Sequence, residues 1–156
     1  MAASRRTPRH QRSARSLPPL DEAELKSRFA ESGLPLTIQR REILGELRQR
    51  DDHPTADLVY EAVSARLAGL SRATVYRTLE TLVELGLATR ISHPGSSARY
   101  DGKTWRHHHL ICDGCGSVLD VELPRLELPA PRTHGSGFVV RDFSVQFSGL
   151  CARCAP

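Results

Sequence analysis

The pairs Cys112-x-x-Cys115 and Cys151-x-x-Cys154 hold every cysteine of the 156-residue chain, and they constrain its second half more than any other feature. A CxxC turn aims both sulfurs at one point about 2.3 Å away, and two such turns supply the tetrahedral four-sulfur set of structural zinc. The alternatives are redox dithiols or two unrelated turns. The 35 residues between the pairs exceed the gap of a short zinc ribbon. Strands predicted at residues 118–123 and 138–147 can take up that length and return the second pair to the first.

Ahead of the first pair, the stretch HHHLICDGCG adds His107, His108 and His109. A four-cysteine zinc site is already full, so these histidines need another account. In an extended segment His107 and His109 point to one face and His108 to the other. His107 and His109 then form a pincer for a second metal, with Asp101 and Asp120 as candidate carboxylates. Imidazoles joined by carboxylates favour Fe(II), Mn(II) or Zn over a hard, oxygen-seeking ion. An HxH without any metal role is the plain alternative.

The first half has a helical period. Leu25 and Phe29 follow Asp21 on one face, and Gly33 is a stop signal. Thr37, Thr55 and Ser71 can cap three further helices, the last ending at Gly86. Strands predicted at residues 88–92 and 98–101 flank the turn PGSS and make a hairpin. Short helices followed by a hairpin are the order of a winged helix-turn-helix. The outward face of the last helix starts with Arg72, Tyr76 and Arg77 and continues with Glu80 and Glu84. Cations in the N-terminal half suit a recognition helix, which enters the major groove by that end. Arg can pair with guanine and Tyr can pack on a thymine methyl; a solvated helix face is the alternative.

Charge adds less. Net charge is +4, but residues 1–20 hold Arg5, Arg6, Arg9, Arg12 and Arg15 with no acid, so the remainder sums to about −1. The first 20 residues read as a disordered basic tail. No apolar run approaches the roughly 18 residues of a membrane span, and no stretch has the pattern of a signal peptide. A cytoplasmic protein without a membrane partner is expected, and cysteines there are more often metal ligands than disulfides.

Taken in order, LTIQRREIL, HPTADLVYEAV, SRATVYRTLETLVELGL, SARYD, HHHLICDGCG and GLCARC resemble the ferric uptake regulator (Fur) family of metal-dependent repressors over residues 21–156. The resemblance implies an α+β chain: a winged-helix DNA-binding domain over residues 21–102, then a small α/β metal-binding dimerisation domain over 103–156. It implies a homodimer on double-stranded operator DNA, with Thr37, Arg40, Arg72, Tyr76 and Arg77 as candidate DNA contacts. Cys112, Cys115, Cys151 and Cys154 match the structural zinc ligands. His53, Asp101, His107, His109 and Asp120 match the regulatory ligands, which hold Fe(2+) or Mn(2+).

Both matching carboxylates are Asp, the pattern of the peroxide-sensing branch, whereas iron sensors usually carry Glu at both places. Zinc sensors usually have a Cys near the position of Asp101. A further family site would draw on Arg106, His108, Glu127 and Phe143, two of which cannot bind metal. The family helix expected before the last strand meets Pro124, Pro129 and Pro131 here, which oppose a full helix and leave the dimer geometry open. An iron- or zinc-responsive repressor is the nearest alternative. A metal hydrolase using His107, His109 and Asp120, or a zinc-stabilised interaction module, stands further off.

Overall fold

The computed structural model describes residues 17–18, 21–123, 137, 139 and 143–156. The basic tail lies outside these apart from Leu17 and Pro18, and the stretch bearing Pro124, Glu127, Pro129 and Pro131 lies wholly outside.

Four helices come first: α1 (Glu22–Glu31), α2 (Ile38–Arg48), α3 (Ala56–Ser64) and α4 (Arg72–Glu84). Each starts where a side chain can accept orphan backbone N–H groups. Asp21 accepts from Ala23 and Glu24, Thr37 from Arg40, Thr55 from Leu58 and Ser71 from Thr74. Gly33 and Gly86 end α1 and α4 at φ of 71° and 65°, the left-handed conformation that glycine tolerates best. One face of every helix turns inward. Phe29, Ile43, Leu44, Val59, Val63, Val75, Leu79 and Leu82 are fully buried in one core, which Tyr100 closes from the hairpin.

That hairpin pairs β1 (Thr89–Ile91) with β2 (Arg99–Asp101), antiparallel, with Thr89 opposite Asp101. Both strands are shorter than predicted. Beyond it lies a three-stranded sheet in the order β4-β3-β5, from β3 (His108–Cys112), β4 (Val118–Val121) and β5 (Gln146–Gly149). β3 runs antiparallel to β4 and parallel to β5. The strand predicted over 138–147 is described as strand only at 146 and 147, and β5 continues to Gly149. Ile91 of the wing packs with Ile111 and Val118 in a second, small core, so hairpin and sheet share apolar contact.

At Gly102 the hairpin gives way to the sheet. A Cβ there would stand 3.1 Å from the backbone N and Cα of Arg48. The chain thus crosses the end of α2 so closely that a Cβ at this position would force its neighbour to shift. Gly102→Ala should therefore overpack the junction and destabilise the fold by about 1–3 kcal/mol. A lowered urea midpoint with an unchanged m value is the expected reading.

Candidate metal centres

Among the described residues, two groups of ligating side chains bring one atom each to within 4.8 Å of one another. The first is Cys112, Cys115, Cys151 and Cys154. Strand register builds it. Cys112 ends β3 opposite Gly149 of β5, so the second CxxC begins two residues past the partner of the first. The backbone N–H of Cys151 donates to Cys112 Sγ at 3.3 Å, and Cys115 Sγ lies 3.8 Å from Cys151 Sγ. Four sulfurs around a tetrahedral ion at about 2.3 Å stand about 3.8 Å apart. A Cβ on Gly114 would lie 2.9 Å from Cys154 Cβ, so the two knuckles interlock only with glycine there. The Cys151, Cys115 and Cys112 sulfurs crowd Cys154 and push its thiol up to about 12, while backbone N–H donors, led by that of Cys151, lower the Cys112 thiol. Four thiolates cannot share so small a space without a cation, and tetrahedral, soft-sulfur geometry fits zinc.

The second group is His53, Asp101, His107, His109 and Asp120, drawn from four places in the chain. In the β3–β4 register His109 stands opposite Asp120, which puts both side chains on one face. His107 precedes β3 by one residue, and its Nδ1 lies 2.8 Å from the Trp105 carbonyl, which leaves Nε2 for the cluster. Asp101 ends β2. His53 is brought in by β2 as well: the Tyr100 N–H donates to the Pro54 carbonyl at 3.0 Å, and Arg99 donates to the His53 carbonyl at 2.9 Å. His53 has φ of 48°, a left-handed conformation that costs a non-glycine residue about 1–3 kcal/mol. Surrounding bonds hold it there.

The five groups lie within ion-pairing distance of one another. His53 Nε2 lies 2.6 Å from Asp120 Oδ1 and 3.7 Å from Asp101 Oδ2. His107 Nε2 lies 2.7 Å from Asp101 Oδ2, and His109 Nε2 lies 3.7 and 3.8 Å from the two carboxylates. Yet all five atoms are buried and none meets a partner along a hydrogen-bond direction. Lone pairs aimed at a common centre, rather than at one another, are what donors around a single ion at about 2.1 Å present. The electrostatics agree. Burial disfavours charged His53 and His107, but Asp101 and Asp120 outweigh it and raise their pKa values to about 9 and about 10. Burial likewise opposes ionised Asp101 and Asp120, but the histidines hold both far below the usual carboxylate range. The pocket therefore draws positive charge, from protons if no metal ion is present. The donor set, nitrogen and oxygen without sulfur, fits Fe(II) or Mn(II).

The remaining sequence expectations fare unequally. His108 points away from the cluster and is buried, 4 % exposed. Arg106 stacks its guanidinium 4.4 Å over the Phe143 ring, so two positions of the further family site form a cation–π pair. Thr37, Arg40, Thr74, Arg77, Thr78 and Thr81 line a groove between α2 and α4 that has no carboxylate, and Tyr76 is 46 % exposed beside it. Arg72 is less free than its place on the helix implies: it is paired with Asp57 and sits 4.4 Å over the Tyr60 ring. Glu80, expected on the outward face, accepts from the Tyr100 hydroxyl at 2.7 Å and pairs with Arg90 of the wing. Nothing in the sequence singles out Lys103, which is buried against Asp120 and Asp51; a lone lysine in a hinge has no motif.

The profile of the ferric uptake regulator family matches residues 31–148. The chain belongs to the ferric uptake regulator family. Members of this family are transcriptional regulators rather than enzymes. The chain is 34 % identical over 137 residues to the peroxide-responsive repressor PerR of Staphylococcus aureus strain Mu50, covering 85 % of this chain and 93 % of that protein. The fold is that of the Helicobacter pylori ferric uptake regulator, a protein with three functional metal-binding sites (TM-score 0.70, 20 % identity, 85 % of this chain and 89 % of that one). It is also similar to the Campylobacter jejuni peroxide stress regulator (TM-score 0.61, 25 % identity, 86 % and 100 %). Among the described residues no helix is long and apolar enough to cross a membrane.

Cys112→Ser or Cys151→Ser should lose one bound zinc per chain and destabilise the fold, because the binding free energy of a structural metal is folding free energy. Metal content and thermal unfolding check this; either variant with full zinc and an unchanged melting temperature counts against the four-sulfur assignment.

Proposed function

We propose that the chain is a metal-dependent transcriptional repressor that binds operator DNA as a homodimer and releases it in response to peroxide. The observation that carries this reading is the sulfur-free donor set of His53, Asp101, His107, His109 and Asp120, both of whose carboxylates are Asp. Identity with the S. aureus peroxide-responsive repressor supports the same branch. Zinc is held by Cys112, Cys115, Cys151 and Cys154, and Fe(II) or Mn(II) by the mixed set.

The ligands span the division between the DNA-binding domain, residues 21–102, and the dimerisation domain, residues 103–156. His53 and Asp101 come from the first, and His107, His109 and Asp120 from the second. Donors satisfied together fix the angle between the domains, and a lost donor frees it, so a local change has a global readout. Thr37, Arg40, Tyr76 and Arg77 form the DNA face, with hydroxyls and N–H groups for phosphates and Arg77 for a base edge. Arg72 serves there if DNA displaces Asp57. Leu110, Phe147 and Leu150 line an apolar groove on the sheet while remaining 38–54 % exposed, which suits a second copy of the chain.

Iron(II) held by these five residues would supply the electron that peroxide needs, which manganese(II) would do far less readily. The His53, His107 and His109 rings are the oxidisable side chains at that spot, and an oxygen added from peroxide to a ring such as His53 or His107 would remove a donor and open the junction.

A duplex selected from a random pool by the manganese-loaded protein is the test ligand. With iron(II), micromolar peroxide should abolish binding and add one oxygen to the peptide holding His53 or His107; with manganese(II), mass and binding should persist. Iron-loaded protein that keeps both its mass and its DNA is a metal sensor instead. On the same duplex Arg77→Ala should weaken binding by about 1–3 kcal/mol. Unchanged affinity there would move the recognition face elsewhere.

A further inference from the structure

Each carboxylate of the mixed cluster turns one oxygen inward and keeps one outside, and the outer oxygens of both are held by the same residue. The Lys103 N–H donates to Asp101 Oδ1 at 2.8 Å, and the Lys103 ammonium donates to Asp120 Oδ2 at 2.6 Å. The inner atoms, Asp101 Oδ2 and Asp120 Oδ1, are the two that face the imidazoles without a partner. Lys103 is only 7 % exposed. Its ammonium has a second anchor in Asp51, at 2.6 Å, in the loop before α3. Gly102, lodged against the backbone of Arg48, fixes where Lys103 leaves the hinge. A lysine is rarely buried unless paired, and this one is paired with a proposed metal ligand.

We propose that Lys103 is a positioning residue for the mixed metal site. By occupying Asp120 Oδ2 it makes Asp120 a one-oxygen donor, while its backbone does the same for Asp101. Three imidazole nitrogens and two carboxylate oxygens then make five donors, and the site keeps a position open. The fixed positive charge beside Asp120 also repels a divalent ion, which lowers affinity to a level at which the metal exchanges. The proposal rests on the reading of His53, Asp101, His107, His109 and Asp120 as a metal site.

Lys103→Met removes the donor and the charge, Lys103→Gln keeps a donor without the charge, and Lys103→Arg keeps both. None of them touches the backbone N–H that holds Asp101. Full-length protein with zinc retained at its cysteines is titrated with Mn(II) and with Co(II), and folding is checked by zinc content and circular dichroism. Lys103→Met and Lys103→Gln should bind Mn(II) about tenfold more tightly or better, since a like charge a few ångströms away is removed. The visible bands of Co(II) should weaken in Lys103→Met, where the freed Asp120 oxygen fills the open position, and persist in Lys103→Gln. Lys103→Arg should stay close to wild type in both. A lysine that merely supports the fold predicts the reverse: both neutral variants bind more weakly and melt earlier, and that result overturns the proposal. Lys103→Met with wild-type affinity and spectrum overturns it too, while leaving the metal site standing. Wild-type protein that takes up no second metal overturns both, and is told apart by the wild-type titration alone.

Discussion

Two ionised carboxylates and three imidazoles meet in a buried space where their ligating atoms lie within 4.8 Å of one another. Charges of one sign held that close in a poorly solvated pocket repel strongly unless a cation joins them. The junction between the helical half and the sheet is built around that requirement. The loop before α3, the end of β2, and strands β3 and β4 each deliver donors to it, so the centre joins the two halves of the chain. Lys103 supplies one resident positive charge at the edge and, through Asp51 and Asp120, a link across the same junction that needs no metal.

Both clusters depend on β3. His109 and Cys112 lie three residues apart on this five-residue strand, one facing Asp120 across the register with β4 and the other opposite Gly149 of β5. Order at the four cysteines therefore keeps the strand ends in register, and that register sets His109 against Asp120. A four-sulfur cluster at one end and a mixed donor set at the other thus share one rigid element. His93 of the wing also stands 3.2 Å from Asp113 in the first CxxC turn, which joins the sulfur knuckle to the hairpin by a second path.

Helix α4 shows how tertiary contacts redistribute charge along a face that looks uniform. Asp57 and Tyr60 of α3 hold Arg72, and Tyr100 and Arg90 of the hairpin engage Glu80. Tyr76 and Arg77 remain outward beside a hydroxyl-rich groove, with the exposed carboxylate of Glu84 two turns further along. A carboxylate that would repel a phosphate backbone is thereby turned toward the wing, where it helps to position Tyr100 in the core.

Local rules made much of this legible in the chain alone. Capping residues and glycine stops marked the four helices because orphan N–H groups and left-handed termini admit few residue types. CxxC spacing marked the four-sulfur cluster because the turn itself aims both sulfurs. Alternation along a strand put His107 and His109 together and His108 apart. Family resemblance was needed to add His53, which is separated from the other ligands by 47 residues of chain and has no local signature. Tertiary structure alone decided the rest: that β2 hydrogen-bonds to Pro54 and so draws His53 onto Asp101, that Arg72 and Glu80 are paired with other side chains of the protein, and that Lys103 reaches Asp51 and Asp120. Those contacts depend on which surfaces meet, and a one-dimensional pattern carries information about neighbours along the chain, not about partners brought together by packing.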